Sequence, residues 1–394
     1  NIAHVIPLAA GMLVAVGTYS RLAGHVPGTL GRGVYTLRID ESGRPSDVGA
    51  QPLELPNPTY LVRHPSKSVI YACQEMDADG ESNAVTAISF DECTGVLTAI
   101  NTVKLPGGVA CHVDTDGEFL FAACYMPTGS TGVVHMLPLA EDGSVQPICD
   151  TFEATEASGK AGDDARGGSQ AGRQDTSHPH MACLYRTSDG GMGVLVPDLG
   201  GDVVYKLAVS KQDRKMRLVG SAKLAVGTGP RHCVVDTQGA NVVYVIGELT
   251  NTIDVVDIES MTSVQRVSTL PAETAGQQPS EYLSDNPFFL EKVGQSCCSA
   301  VKLSPDGKKL YGSNRGHDSL TVCSVDGGRL KFEGCLSTRG RTPRDFFVGP
   351  NAKYLLALNQ DSGTIATLSI DDDGRKVPLF EMNAAAVSMI VLTP

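Results

Sequence analysis

Between residues 227 and 258 the chain reads GTGPRHCVVDTQGANVVYVIGELTNTIDVVDI, which sets Arg231, His232 and Glu248 around two apolar runs. Guanidinium, imidazole and carboxylate together can bind an anion, move a proton and stabilise an oxyanion. The same residue types recur at long intervals as Glu75, His112, His178, His180, Asp198, Arg315 and Arg344. Arginine is suited to bidentate contact with phosphate or carboxylate. A buried glutamate or histidine can take a proton from water if its pKa is tuned. Burial would raise the pKa of Glu248 and neighbouring arginines would lower it, and the sequence leaves the winner open.

Each residue also has a plainer reading. His112 and His232 would serve as satisfied core histidines, Glu75 and Asp198 as loop caps, and Arg344 as a partner for adjacent Asp345. His178 and His180 share a strand face, but no further ligands stand at metal-site spacing. No metal or cofactor is expected. Neither a phosphate-cradling glycine loop nor a Gly-X-Ser-X-Gly elbow occurs. Cys297 and Cys298 are adjacent, without the spacing of a redox pair.

Residues so far apart need a fold that returns them to one place. NPTYLVRHPSKSVIYACQE, GGVACHVDTDGEFLFAACY, SAVKLSPDGKKLYGSNR and TPRDFFVGPNAKYLLALNQ share one template of strand, polar turn and strand, and each is followed by a second hairpin. The second strands end near Glu75, Tyr125, Asp198, Glu248, Arg315 and Asn359, at steps of 50, 73, 50, 67 and 44 residues. Four strands per repeat of about 40–50 residues predict an all-β fold, a seven-bladed β-propeller of four-stranded antiparallel blades. Six repeats are complete. A seventh, GMLVAVGTYS with GVYTLRID, lacks one strand, which AVSMIVLT at 386–393 would supply, so the N- and C-terminal strands pair to close the ring. The chain is expected to be one domain, 1–394. A flexible insertion is expected at 153–176 and a loop insertion at 271–296, with PFFL packing on the body. In such a ring, residues entering first strands and leaving second strands face a central funnel.

Composition narrows the partners. A net charge of −12 argues against nucleic acid or an anionic membrane surface. No run of about 18 apolar residues suggests a membrane span. The opening NIAHVIPLAAGMLVAVGTYS lacks a basic region and reads as a buried strand rather than a leader; the missing initiator Met suggests a processed or trimmed chain. Eleven cysteines without CxxC spacing suggest a reducing, cytoplasmic setting. Oligomeric state is not encoded in any visible pattern.

The ordered set Asn57-Pro58, His180, Gly229-Pro230-Arg231-His232, Glu248, Asn314-Arg315 and Pro343-Arg344 resembles the lactonase family of seven-bladed propellers, in register with the repeats over nearly the whole chain. That family includes bacterial-type 6-phosphogluconolactonases and fungal carboxy-cis,cis-muconate lactonizing enzymes. The resemblance implies catalytic roles for His180, Glu248, Arg231 and Arg315, with His178 a competitor for the first. His112, His178, His232, Arg344, Asp198 and Glu75 are expected to contact substrate. Ala300 and Lys302 depart from the acid and histidine usual before the Ser-Pro-Asp-Gly turn, which bears on which substrate is taken and on whether lactonase activity is retained at all. The implied substrate is an anionic sugar phosphate lactone, 6-phospho-D-glucono-1,5-lactone. A muconate cycloisomerase and a non-catalytic binding scaffold are the alternatives.

Overall fold

The computed structural model describes residues 11–21, 30–76, 83–125, 132–154, 173–174, 176–272, 296–370 and 379–393. Seven antiparallel sheets follow one another along the chain, as the repeats predict. The sheet built from the opening hairpin is typical. Pro230–Val235, Val242–Gly247, Thr252–Asp257 and Thr262–Ser268 pair in order. The second strand, VVYVIG, is apolar throughout because blades cover it on both faces, whereas the outermost, TSVQRVS, is largely solvent-facing. Asp236 shapes the first turn, accepting hydrogen bonds from the backbone N–H groups of Gln238 at 2.8 Å and Ala240 at 2.9 Å.

The ring closes through its ends. Ala386–Thr393 is the innermost strand of a blade whose next strands are Met12–Thr18 and Gly33–Ile39, with Met389 opposite Val16 and Ser388 opposite Gly17. That strand is the segment AVSMIVLT expected to close the ring. The apolar core lies between neighbouring blades; Tyr244, Ile246 and Val255 of one blade, for example, pack with Cys298, Leu310 and Cys323 of the next.

The innermost strands are Pro58–Arg63, Ala110–Thr115, Cys183–Arg186, Pro230–Val235, Cys297–Leu303, Pro343–Val348 and Ala386–Thr393. Among the described residues no helix is long and apolar enough to cross a membrane. Most of 153–176 and of 271–296, including PFFL, lies outside the described residues. At the end of the first insertion Arg173 and Gln174 are buried.

Candidate active site

The repeat register delivers the hub. The residue immediately after a second strand is Tyr19, Glu75, Tyr125 and Glu248 in four blades, and first strands carry His112, Arg231, His232 and Arg344 near their starts. His180 lies just before Cys183–Arg186, its N–H donated to the Pro197 carbonyl at 2.9 Å.

Two tight turns place the acids. Gly229 has φ +59°, and a Cβ there would come within 2.6 Å of Leu249 Cγ. From this bend the Gly229 carbonyl accepts the Glu248 N–H at 2.8 Å, so the turn before Arg231 also fixes Glu248. Asn57, at φ 39°, makes the equivalent turn before Pro58. Its carbonyl accepts the Glu75 N–H at 2.9 Å and its Nδ2 donates to the Glu75 carbonyl at 3.0 Å.

Glu248 is the centre of the cluster. Its Oε2 meets Arg231 Nε at 2.8 Å and Arg315 Nη2 at 3.1 Å, and its Oε1 accepts from Arg173 Nη2. Burial acts to raise its pKa, but the charges of Arg315, Arg173 and Arg231 outweigh it and hold the carboxylate well below the usual range. The competition left open by sequence is therefore won by the guanidiniums. Burial, followed by repulsion from Arg315, draws Arg231 down to about 10, still a cation at neutral pH. Arg231 Nη1 donates to the Ser299 carbonyl at 3.0 Å, and Arg315 Nη2 to the Cys298 carbonyl at 2.8 Å.

Glu75 forms a second acidic point. It accepts from the Tyr19 hydroxyl at 2.7 Å and from Arg344 Nη2 at 3.4 Å, and the Arg344 guanidinium lies 5.3 Å from the Tyr19 ring centre. Arg344 thus reaches past the closing blade to Glu75 rather than to adjacent Asp345, which pairs with Lys302 at 2.7 Å.

Three imidazoles share the interior. The His232 ring lies 5.4 Å from His180 and 5.7 Å from His112, and Tyr60 packs on His112 at 4.0 Å. Burial, then the charge of Arg231, lowers all three; His112 is pushed down to about 3. At neutral pH each is therefore uncharged and able to accept a hydrogen bond at one ring nitrogen. The Nδ1 of His180 and both ring nitrogens of His112 are buried without a hydrogen-bond partner.

The structure separates the two competing histidines. His180 faces Arg231 and Glu248 closely enough for their charges to act on it. His178 instead stacks on Tyr125, with ring centres 4.3 Å apart, and shares a 2.9 Å hydrogen bond between Nδ1 and the Tyr125 carbonyl. Asp198, expected to meet substrate, is fully buried and accepts from the Ser177 hydroxyl and the N–H groups of His178 and Gly201. It organises the turn that presents the histidines, so a loop cap is the reading its contacts fit.

Arg173 is the residue sequence reasoning missed. Neighbouring Gln174 anchors it, donating to the Leu199 carbonyl at 2.9 Å and to Asp202 Oδ1 at 2.8 Å. Asp202 also accepts from the N–H groups of Gly227 and Gly229, tying this segment to the Arg231 turn. Tyr19 was missed too, although it occupies the same repeat position as Glu75 and Glu248. Lys302 lies near the far end of its strand, where it, Tyr60, Asp345 and Phe347 help line a cavity of about 280 Å³. Among the described residues no group of three His, Cys, Asp or Glu side chains is arranged to hold a metal ion.

A family model described as lactonase, 7-bladed β-propeller, matches residues 13–392. The chain belongs to the lactonase family. It is by family a lactonase, a hydrolase of cyclic carboxylic esters with a small-molecule substrate. It is 28% identical to the 6-phosphogluconolactonase of Bacillus subtilis over 92% of this chain and 93% of that protein. With the 6-phosphogluconolactonase of Formosa agariphila it shares 25% identity, over 88% and 91%. A Bacteroides fragilis protein provisionally named 6-phosphogluconolactonase superposes with a TM-score of 0.75 at 26% identity, covering 98% of this chain and 99% of that one. A periplasmic gluconolactonase of Pseudomonas aeruginosa has the same fold, with a TM-score of 0.78 at 23% identity, covering 96% and 98%.

Proposed function

We propose that this lactonase is a 6-phosphogluconolactonase, opening 6-phospho-D-glucono-1,5-lactone to 6-phosphogluconate. The observation that carries the reading is the buried hub in which arginines outnumber carboxylates, inside a chain of net charge −12. Such a hub favours an anion and focuses it against the overall repulsion. The two 6-phosphogluconolactonase relatives support the same substrate.

In this reading Arg231 and Arg315 stabilise the oxyanion that forms as water adds to the lactone carbonyl. His180, neutral and with an unpartnered Nδ1, takes the proton from that water and returns it to the ring oxygen as the C–O bond breaks; burial and Arg231 lower its basicity, and the Glu248 carboxylate acts against them to stabilise the imidazolium that forms. Glu248, held ionised by three guanidiniums, is a weak base; it fixes the arginines in place. Arg344 adds positive charge toward the phosphate. The lactone also opens spontaneously, so a modest acceleration suffices. The eleven cysteines, all free, fit a reducing cytoplasm.

The test is hydrolysis of the phosphorylated lactone by the purified protein beside an Arg231→Ala, Glu248→Ala double variant. Catalysis by the wild type that is lost in the variant supports the reading, and equal rates reject it. Carboxymuconate, followed by its ultraviolet absorbance, checks for cycloisomerase activity in the same preparation.

A further inference from the structure

We propose that Gln360 contacts the substrate, accepting a hydrogen bond from a ring hydroxyl, and so selects a hydroxylated sugar lactone over a polycarboxylate; this rests on the reading of the chain as a 6-phosphogluconolactonase. The repeat places the residue. Gln360 directly follows the second strand Tyr354–Asn359, as Tyr19, Glu75, Tyr125 and Glu248 follow theirs. Its backbone is held by the same device. In four blades a residue at positive φ stands before the first strand, and its carbonyl accepts the N–H of the residue in this slot. Asn57 (φ 39°) accepts from Glu75, Val109 (φ 57°) from Tyr125, Gly229 (φ 59°) from Glu248 and Thr342 (φ 58°) from Gln360 at 3.0 Å. Three of the four are not glycine, and such residues seldom take this conformation, so the turn is kept for what it positions. From this slot Glu75 and Glu248 supply the two acidic points of the hub, and Tyr19 bonds to Glu75. The blade of Gln360 is also the one that carries Arg344.

The amide is oriented by its neighbour. Gln360 Nε2 donates to Asp361 Oδ1 at 2.9 Å. A carboxylate accepts and does not donate, so this contact decides which end of the amide is nitrogen and leaves Oε1 as the other. Asp361 is in turn tied to the strand start, its Oδ2 accepting from the Thr342 hydroxyl at 2.5 Å. Gln360 is 2% exposed, and its Oε1 is buried without a hydrogen-bond partner among the described residues. A buried acceptor left unmatched is costly, so the site is built for something that brings a donor. The guanidiniums of the hub answer anionic oxygens, whereas an amide oxygen answers an O–H or N–H group. Glucono-1,5-lactone carries ring hydroxyls at C2, C3 and C4. Ionised carboxymuconate carries only acceptors and would leave Oε1 unpaired, which is how a hydrogen-bonding site rejects the wrong ligand.

The test measures kcat/KM for 6-phosphoglucono-1,5-lactone and its 2-, 3- and 4-deoxy analogues in the wild type, Gln360→Met and Gln360→Asn. Gln360→Met keeps the length of the side chain and removes the acceptor. Gln360→Asn keeps an amide and withdraws it by one methylene. Each should lower kcat/KM for the parent lactone by roughly 5- to 50-fold. The loss should persist with two of the deoxy analogues and vanish with the third, the one that lacks the hydroxyl Gln360 receives. The inhibition constant of carboxymuconate should not rise in either variant. Circular dichroism and melting temperature verify folding, and the second variant serves if the first does not fold. An equal loss on all four lactones would assign Gln360 a structural role through Asp361 and overturn the proposal. So would an unchanged kcat/KM, which would mean that Oε1 meets water only, or a carboxymuconate inhibition constant that rises in step with the lactone loss. In each of these cases the proposed substrate stands. If the wild type turns over none of the phosphorylated lactones, the proposed substrate and the Gln360 assignment fall together.

Discussion

Arg344 lies 3.4 Å from Glu75 although 269 residues separate them in the chain. Both are buried, and the pair joins two blades across the end-to-end seam of the ring. The contact exists only if Ala386–Thr393 occupies the innermost position between them, so it reports on closure as well as on the site.

Removing one partner of this pair should cost more than removing both. Glu75→Gln leaves the Arg344 cation buried with only the charge of Glu248 to offset it, a change worth up to about 3–5 kcal/mol. The Glu75→Gln, Arg344→Met double variant should be less destabilised than the sum of the two single variants. Denaturant titration of the four proteins gives the coupling, and strict additivity would show that the pair contributes nothing to stability.

Glu248 should behave as a counterion rather than as the base. Glu248→Gln removes the one negative charge that three arginines share, so anions should bind more tightly while turnover falls. We expect the inhibition constant of inorganic phosphate to improve several-fold and kcat to drop by about 10²-fold as the arginines lose their common anchor. Steady-state kinetics with phosphate as inhibitor reads both. Weaker phosphate binding in Glu248→Gln would contradict the counterion role.

The buried histidines predict how stability responds to acid. The pKa values of His112, His180 and His232 lie below the ordinary value of about 6.5. Between that value and their native ones, the unfolded chain binds protons that the folded chain does not, so stability is present above pH 6.5 and is lost as pH falls. Each histidine contributes a slope of roughly 1.4 kcal/mol per pH unit, so the three together approach about 4. Glu248, whose native pKa is depressed, loses its contribution only below its ordinary carboxylate range; between pH 5.5 and 6.5 the carboxyls of Asp114 and Asp318, which burial pushes up to about 6 and about 7, oppose the imidazoles and lessen the net slope. Urea unfolding at pH 7.5, 6.5 and 5.5 should show stability falling with pH, and His112→Gln should lessen that fall by up to about 1.4 kcal/mol per pH unit.

Much of the fold is legible in the residues because blade strands alternate or run apolar between Asp and Gly turns, and the period repeats. The site is legible to the same extent as the repeat. Arg231 and Arg344 stand at equivalent first-strand starts, and Glu248 and Arg315 at the ends of second strands, which is why segments far apart point to one hub. Arg173 escapes this logic because it belongs to a Gly-, Ala- and charge-rich stretch with no apolar period, and only its contact with Glu248 reveals it. The protonation state of Glu248 is illegible for a related reason, since it depends on how many guanidiniums converge. Asp198 is the converse case. It occupies a strand-end slot like Glu248, yet a hydroxyl and two backbone N–H groups turn its carboxylate into a structural cap.

The turn before Arg231 supplies a test that leaves every charged group in place. Gly229 occupies φ +59°, disfavoured for an L side chain, and an added Cβ would approach Leu249 Cγ to 2.6 Å. Gly229→Ala should therefore cost about 1–3 kcal/mol of stability from backbone strain and crowding. Its carbonyl holds the Glu248 N–H and its own N–H is donated to Asp202 at 2.8 Å, so relief of the clash must shift Glu248, Arg231 or the Asp202 anchor. A displacement near 1 Å can cost on the order of 100-fold in rate. We expect kcat/KM to fall by at least tenfold at temperatures where the variant is fully folded. Wild-type turnover in a folded Gly229→Ala protein would mean that the Arg231–Glu248 geometry does not set the rate.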